Sequence, residues 1–74
     1  MVRKNPRPYQ SLGLRIRSGR DRLGLTQSEL AERVGVSRLT IVRWETGAMP
    51  PSNGKVEQLA STLGTAPKVF SPFW

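Results

Sequence analysis

The sequence predicts an all-α fold of short helices around a small core. Three local patterns carry that prediction. Thr26 and Glu29 stand three residues apart, just before the apolar positions Leu30, Ala31 and Val34. In this arrangement a threonine hydroxyl and a glutamate carboxylate each satisfy a free backbone N–H at a helix start. Gly35 follows the last of those apolar residues and Ser37 comes two later. One helix therefore ends on a residue suited to a left-handed backbone, and the next opens on a favoured N-cap. Finally, Val56, Leu59, Ala60 and Leu63 recur at i, i+3, i+4 and i+7, the spacing of one helical face.

The first two patterns lie in the stretch Leu25–Gly47, around which the rest of the chain is organised. Its first helix should begin at Gln27, with the small Ala31 suited to close approach of a second helix. Val36 is apolar inside the turn and should be tucked into the core. The second helix should run from about Arg38 to Thr46 and close at Gly47. Helix, glycine-containing turn and helix is the unit that places a second helix in the major groove of DNA. Ile41 is the main inward residue of that second helix, with Trp44 or Glu45 one turn later. Arg38, Leu39, Val42 and Arg43 are left on the other side. Apolar side chains facing outward beside arginines make chemical sense on a base-reading surface. A leucine can contact a thymine methyl, and an arginine can donate to guanine O6 and N7. The competing reading makes Leu39 and Val42 core residues and leaves the arginines solvated.

Before this stretch, a helix is expected from Tyr9 to Leu23, with Leu12, Ile16 and Leu23 on its buried stripe. Gly13 and Gly19 inside it each cost up to about 1 kcal/mol relative to alanine, and Gly19 is the one expected to face another backbone. Arg15, Arg17 and Arg22 should be exposed. Gly24 ends the helix and Leu25 enters the core. After Gly47 comes an uncharged loop, Ala48 to Gly54, in which Ser52 or Asn53 can cap a helix running from about Gly54 to Leu63. Thr65 or Ala66 then precedes Pro67, a residue favoured in a first helical turn. Val69 and Phe70 should pack back on the core before Ser71-Pro72 breaks the chain. The expected organisation is a flexible basic arm over 1–8, a domain over 9–70 and an aromatic tail over 71–74. In the arm, Arg3, Lys4 and Arg7 carry the charge while Pro6 and Pro8 oppose a helix. In the tail, Phe73 and Trp74 fold onto the domain, anchor a dimer or partner contact, or are disordered, an aromatic anchor at an interface being a common hot spot.

Seventy-four residues allow one domain, which buries only around two-thirds of its unfolded surface and so has modest stability. Twelve lysines and arginines against five acids give a net charge of +7, which implies a polyanionic partner. There is no cysteine and no histidine. Disulfides, thiol nucleophiles and the commonest zinc ligands are thereby excluded, and a reducing cytoplasm is the expected compartment. No apolar run approaches the roughly 20 residues of a membrane helix, and the basic N-terminus is not followed by the apolar run of a signal peptide.

Gln27, Ala31, Gly35, Val36, Ser37 and Ile41, followed by Trp44-Glu45-x-Gly47, resemble the lambda-repressor-like helix-turn-helix of the Cro/repressor or XRE family. The likeness extends over roughly Leu12 to Phe70. It implies a compact five-helix DNA-binding domain, the segment after Leu63 supplying the fifth helix. It also implies site roles. Ser37, Arg38, Leu39 and Arg43 match base-reading positions. Gln27 matches a glutamine that touches a phosphate and braces a neighbour. Arg17, Thr40 and Thr46 match backbone-contacting positions. Glu45 matches an acid that pairs with an arginine of the first helix, here Arg20. The loop 48–54 lies where the family runs along DNA or near a dimer contact, although it lacks the basic residues expected there.

Together these features predict a sequence-specific double-stranded DNA-binding protein. The expected protein is a prokaryotic or phage transcriptional regulator, a repressor in its simplest form, acting in the cytoplasm at the nucleoid. Arg3, Lys4 and Arg7 would add DNA-backbone contacts, and a homodimer would form through loop 48–54 with Phe70, Phe73 and Trp74. The alternative is a DNA-binding antitoxin of a toxin–antitoxin pair, acting through protein–protein contacts at its aromatic tail. An enzyme is not expected. The five acids Asp21, Glu29, Glu32, Glu45 and Glu57 form no nucleophile–base pair or metal cluster, and no cofactor is implied.

Overall fold

A computed structural model describes residues 9–66. Among these residues there are four helices: α1 (Gln10–Arg22), α2 (Gln27–Val34), α3 (Arg38–Glu45) and α4 (Asn53–Leu63). Over the described residues the fold is all-α, with four helices where five were expected for the whole domain. Thr65 and Ala66, expected to precede the fifth helix, are not helical, and the residues expected to form it, from Pro67 through Val69 and Phe70, lie outside the described residues, as do the arm and the tail.

The starts of α2, α3 and α4 follow from their capping chemistry, whereas α1 opens at Tyr9 without a side-chain cap. The Thr26 hydroxyl accepts from the Glu29 N–H at 3.0 Å, while Glu29 Oε1 accepts from the Thr26 N–H at 2.7 Å. Ser37 and Ser52 cap α3 and α4 by accepting from the N–H groups of Thr40 and Lys55. Ser52 takes the cap, so α4 includes Asn53 and starts one residue before Gly54. The Thr26 N–H holds the exposed Glu29 carboxyl below the ordinary carboxylate range. A depressed folded value adds stability that is present above the unfolded value and lost as pH falls through the folded one. Glu29→Gln keeps an acceptor at this position but cannot titrate. Its melting temperature should therefore fall less steeply on acidification than that of the wild type. Parallel acid slopes would remove Glu29 from the acid response.

The core is one cluster drawn from all four helices and the α1–α2 connection. Ile16, Leu30, Val34, Ile41, Leu59 and Leu63 are its largest fully buried members, joined by Leu12, Leu25, Ala31, Trp44, Val56 and Ala60. Tyr9, Val36 and Met49 pack against its edge. Leu23 departs from its expected place on the buried stripe and is 47 % exposed. Its helical phase is right, but α1 has ended. Leu23 is the C-cap, and its N–H closes onto the carbonyls of Gly19 and Arg20. Gly24 then reverses the chain at φ +69°, and Leu25 takes the inward position.

The expected close approach of two backbones occurs at Gly13, not Gly19. A Cβ on Gly13 would stand 2.4 Å from the carbonyl oxygens of both Trp44 and Glu45, whereas one on Gly19 would meet only the Leu63 side chain, at 3.2 Å. The end of α3 thus rests directly on the N-terminal half of α1. Gly47 extends the same contact. It has φ +82°, a Cβ there would stand 2.6 Å from the Gln10 backbone, and its carbonyl accepts from the Tyr9 N–H.

Candidate nucleic-acid interface

The surface that the sequence singles out is the outer face of α3. Gly35 makes this face, because its left-handed conformation (φ +81°, ψ 37°) ends α2 and turns the chain into Val36 and Ser37. The N–H groups of Gly35 and Val36 both donate to the Ala31 carbonyl, which closes the turn. On α3, Ile41, Trp44 and Glu45 are buried. At 100° per residue the opposite side centres on Leu39 and Arg43 with Val42 beside them, while Arg38, the first residue of the helix, lies on the flank nearer Glu45. Arg38 and Arg43 are exposed, Val42 is half-buried, and Leu39 is 54 % exposed. Leu39 therefore belongs to the outer face and Val42 to its border with the core. Ser37 is exposed, and the Thr40 hydroxyl lies 3.0 Å from the Ser37 hydroxyl. Thr46 is the exposed C-cap of α3, its hydroxyl turned back toward the Arg43 carbonyl at 3.4 Å.

Beneath this face lies one polar cluster. Arg20 Nε donates to Glu45 Oε2 at 2.6 Å and Nη2 donates to Glu45 Oε1 at 3.1 Å, a two-pronged ion pair. The third prong, Nη1, donates to the Leu25 carbonyl at 2.8 Å. Gln27 Nε2 also donates to Glu45 Oε1, at 3.1 Å. The side chains of Arg20 and Glu45 are only 12 % and 4 % exposed. The hydrogen bond to Glu45 raises the Arg20 pKa above its ordinary value despite the opposing effect of burial. The physical result is a clamp: Arg20 of α1, itself held by the Leu25 carbonyl of the α1–α2 connection, and Gln27 at the start of α2 together grip the end of α3. A carboxylate at a helix C-terminus is unfavourable against the helix dipole, so Glu45 depends on these donors. Gln27, expected to touch a phosphate and brace a neighbour, here braces Glu45.

Arg17 is exposed on α1 and lies 3.8 Å from Asp21, one helical turn on. Asp21 also lies 3.4 Å from Arg20, a contact that the sequence reading missed. It missed Lys55 as well. This half-buried residue of α4 donates from Nζ to the Val34 carbonyl at 3.2 Å, joining α4 to the helix-turn-helix turn. The contact spans 21 residues, and no local pattern marks it. Arg3, Lys4, Arg7, Phe70, Phe73 and Trp74 lie outside the described residues. Among the described residues no group of acids could hold a metal ion, and no helix is long and apolar enough to cross a membrane.

A short helix held rigidly from behind, with arginines and a leucine facing outward, defines a DNA-binding helix-turn-helix protein. Comparison with known proteins gives the family. The helix-turn-helix family model matches residues 16–70, and the chain belongs to that family in its lambda-repressor-like, XRE-type form. An uncharacterized HTH-type transcriptional regulator of Methanothermobacter thermautotrophicus is 53 % identical over 49 residues, 66 % of this chain and 71 % of the relative. The P22 c2 repressor, solved in complex with a synthetic operator, superposes with a TM-score of 0.80 at 32 % identity, covering 85 % of this chain and 96 % of that one. The restriction-modification controller protein C.AhdI of Aeromonas hydrophila gives 0.78 at 28 % identity, with the same coverage. The chain is a DNA-binding transcriptional regulator.

Proposed function

We propose that this regulator reads double-stranded DNA sequence-specifically with α3 in the major groove. The observation that carries the reading is the outer face of α3, where Arg38, Leu39 and Arg43 are exposed on a helix whose end is clamped by Arg20. Arg38 and Arg43 donate to guanine O6 and N7, and Leu39 contacts a thymine methyl. The two arginines are five positions apart, about 7.5 Å along the helix axis, so they reach different bases. Ser37 joins them at the base edges, while Gln27, Arg17, Thr40 and Thr46 contact the DNA backbone. The arm 1–8 extends that contact through Arg3, Lys4 and Arg7. Two copies bind as a homodimer through loop 48–54 and Phe70, Phe73 and Trp74, on half-sites about 34–36 Å apart. The output is repression by occlusion of the polymerase, in the cytoplasm at the nucleoid.

Selection of bound duplexes from a random library tests this, with the winner compared against a scrambled duplex at two salt concentrations. A near-palindromic winner is the expected outcome. Equal, strongly salt-dependent binding to every duplex would overturn the reading. Arg38→Ala and Arg43→Ala should each reduce affinity for the winner by about 10- to 100-fold, since one bidentate base contact contributes about 1–3 kcal/mol of discrimination. Their melting temperatures should stay close to that of the wild type, because both side chains are exposed. Unchanged sequence preference in both variants would move base reading away from α3.

A further inference from the structure

We infer that Lys55 is a positioning residue for DNA reading: its ammonium group fixes the peptide from which the recognition helix is launched. The inference rests on the α3 reading proposed above and adds to it a residue outside the helix-turn-helix.

The last carbonyls of a helix have no partner within the helix. In α2 the Ala31 carbonyl is satisfied by the N–H groups of Gly35 and Val36. The Val34 carbonyl belongs to the final residue of α2, and Lys55 Nζ reaches it at 3.2 Å. This peptide joins Val34 to the left-handed Gly35, and Nζ lies 3.9 Å from where a Cβ on Gly35 would stand. A cation at this point also complements the negative end of the α2 dipole. The stem of Lys55 is held in turn. Its own N–H donates to the Ser52 cap, and Val56, next in the chain, is buried in the core. Lys55 therefore braces the turn from α4, on a different side from the Arg20–Glu45 clamp at the far end of α3. Arg20 holds where the recognition helix ends, and Lys55 holds where it is launched. The three residues between Val34 and Arg38 leave little chain to absorb an error. A tilt of the Val34–Gly35 peptide passes directly to Arg38 and Leu39, at the first positions of α3.

The test compares the full-length wild type with Lys55→Met, which keeps an apolar stem without the charge, and with Lys55→Arg, which restores a donor. Affinity is measured for the selected duplex and for a scrambled duplex, well below all melting temperatures and at several salt concentrations. Lys55→Met should lose about tenfold in affinity for the selected duplex, the scale of one charge-assisted hydrogen bond, while binding the scrambled duplex nearly as the wild type does. Lys55→Arg should recover most of the loss. In the free protein, the amide resonances of Gly35 and Val36 should move in Lys55→Met and return in Lys55→Arg. Equal weakening on both duplexes, with a salt slope smaller by about one, would make Lys55 a plain phosphate contact and overturn the inference. So would a lower melting temperature with specificity intact, or unmoved Gly35 and Val36 resonances. A wild type that itself fails to distinguish the two duplexes sinks the α3 reading, and the inference with it. A specific wild type with an equally specific Lys55→Met sinks the inference alone.

Discussion

Glu45→Ala is expected to lower the unfolding free energy by about 3–5 kcal/mol, the usual cost of removing one partner of a buried ion pair. A domain of this size has roughly 4–11 kcal/mol in total, so the variant should be marginal at best. The carboxylate side chain is 4 % exposed and accepts from Arg20 twice and from Gln27 once. Its removal leaves Arg20 Nε and Nη2 facing a space where the side chain is only 12 % exposed, too little for water to replace what is lost. Arg20→Ala should cost a similar amount from the other side. Arg20→Lys keeps the charge but not the fork that holds both carboxylate oxygens and Leu25, and it should fall between. Arg17→Ala is the control. It lies on the same helix with the same charge, and its partner Asp21 is 3.8 Å away with both side chains more than half exposed. Such a surface pair contributes at most about 1 kcal/mol. Thermal denaturation separates these outcomes, since 1 kcal/mol moves the midpoint of a domain this small by about 4–8 °C. A midpoint for Glu45→Ala no lower than that for Arg17→Ala would show that the clamp does not hold the fold.

The parts of the molecule that were legible in the sequence are those fixed by neighbours within a few residues. The Thr26–Glu29 cap, the turn at Gly35, the Ser37 cap and the stripe of α4 each declare themselves over three to seven positions, and capping chemistry works at that range. Family likeness extended this to one long-range pair, Arg20 and Glu45, which the structure brings within 2.6 Å. Where geometry depends on how helices cross, the sequence was silent or misleading. Leu23 continues the α1 stripe in phase, yet the helix stops before it, and the periodicity of a pattern does not say where the pattern ends. Lys55 looks like any solvated lysine until α4 is laid beside the end of α2. Leu39 and Val42 could not be separated by type. Their different burial follows from which side of α3 rests on the core, the side of Ile41, Trp44 and Glu45.

Gly13 is the sharpest case of a residue whose role only the fold discloses, and it leads to the second large effect. By helix propensity alone, Gly13→Ala and Gly19→Ala should each stabilise α1 by up to about 1 kcal/mol. The packing makes them differ. An added Cβ at Gly13 would stand 2.4 Å from two backbone carbonyl oxygens, those of Trp44 and Glu45, and 2.7 Å from the Glu45 carbonyl carbon. Backbone atoms cannot swing aside as a rotamer can, so α1 and α3 must separate. Overpacking typically costs about 1–3 kcal/mol, and this site should lie at or above the top of that range. At Gly19 the added Cβ meets Leu63 Cδ1 at 3.2 Å, the end of a flexible side chain, and the net effect should be near zero. Equilibrium unfolding of the two variants distinguishes the explanations, and similar stabilities for both would show that the contact yields. The consequence reaches the outer face of α3. The two carbonyls touching Gly13 belong to the last turn of α3, the same turn that Arg20 grips through Glu45. A molecule of Gly13→Ala that still folds must carry α3 displaced from α1, with Arg38, Leu39 and Arg43 moved relative to the rest of the domain. Its affinity for a selected duplex should therefore fall even at temperatures where it is fully folded. Gly19→Ala should bind as the wild type does.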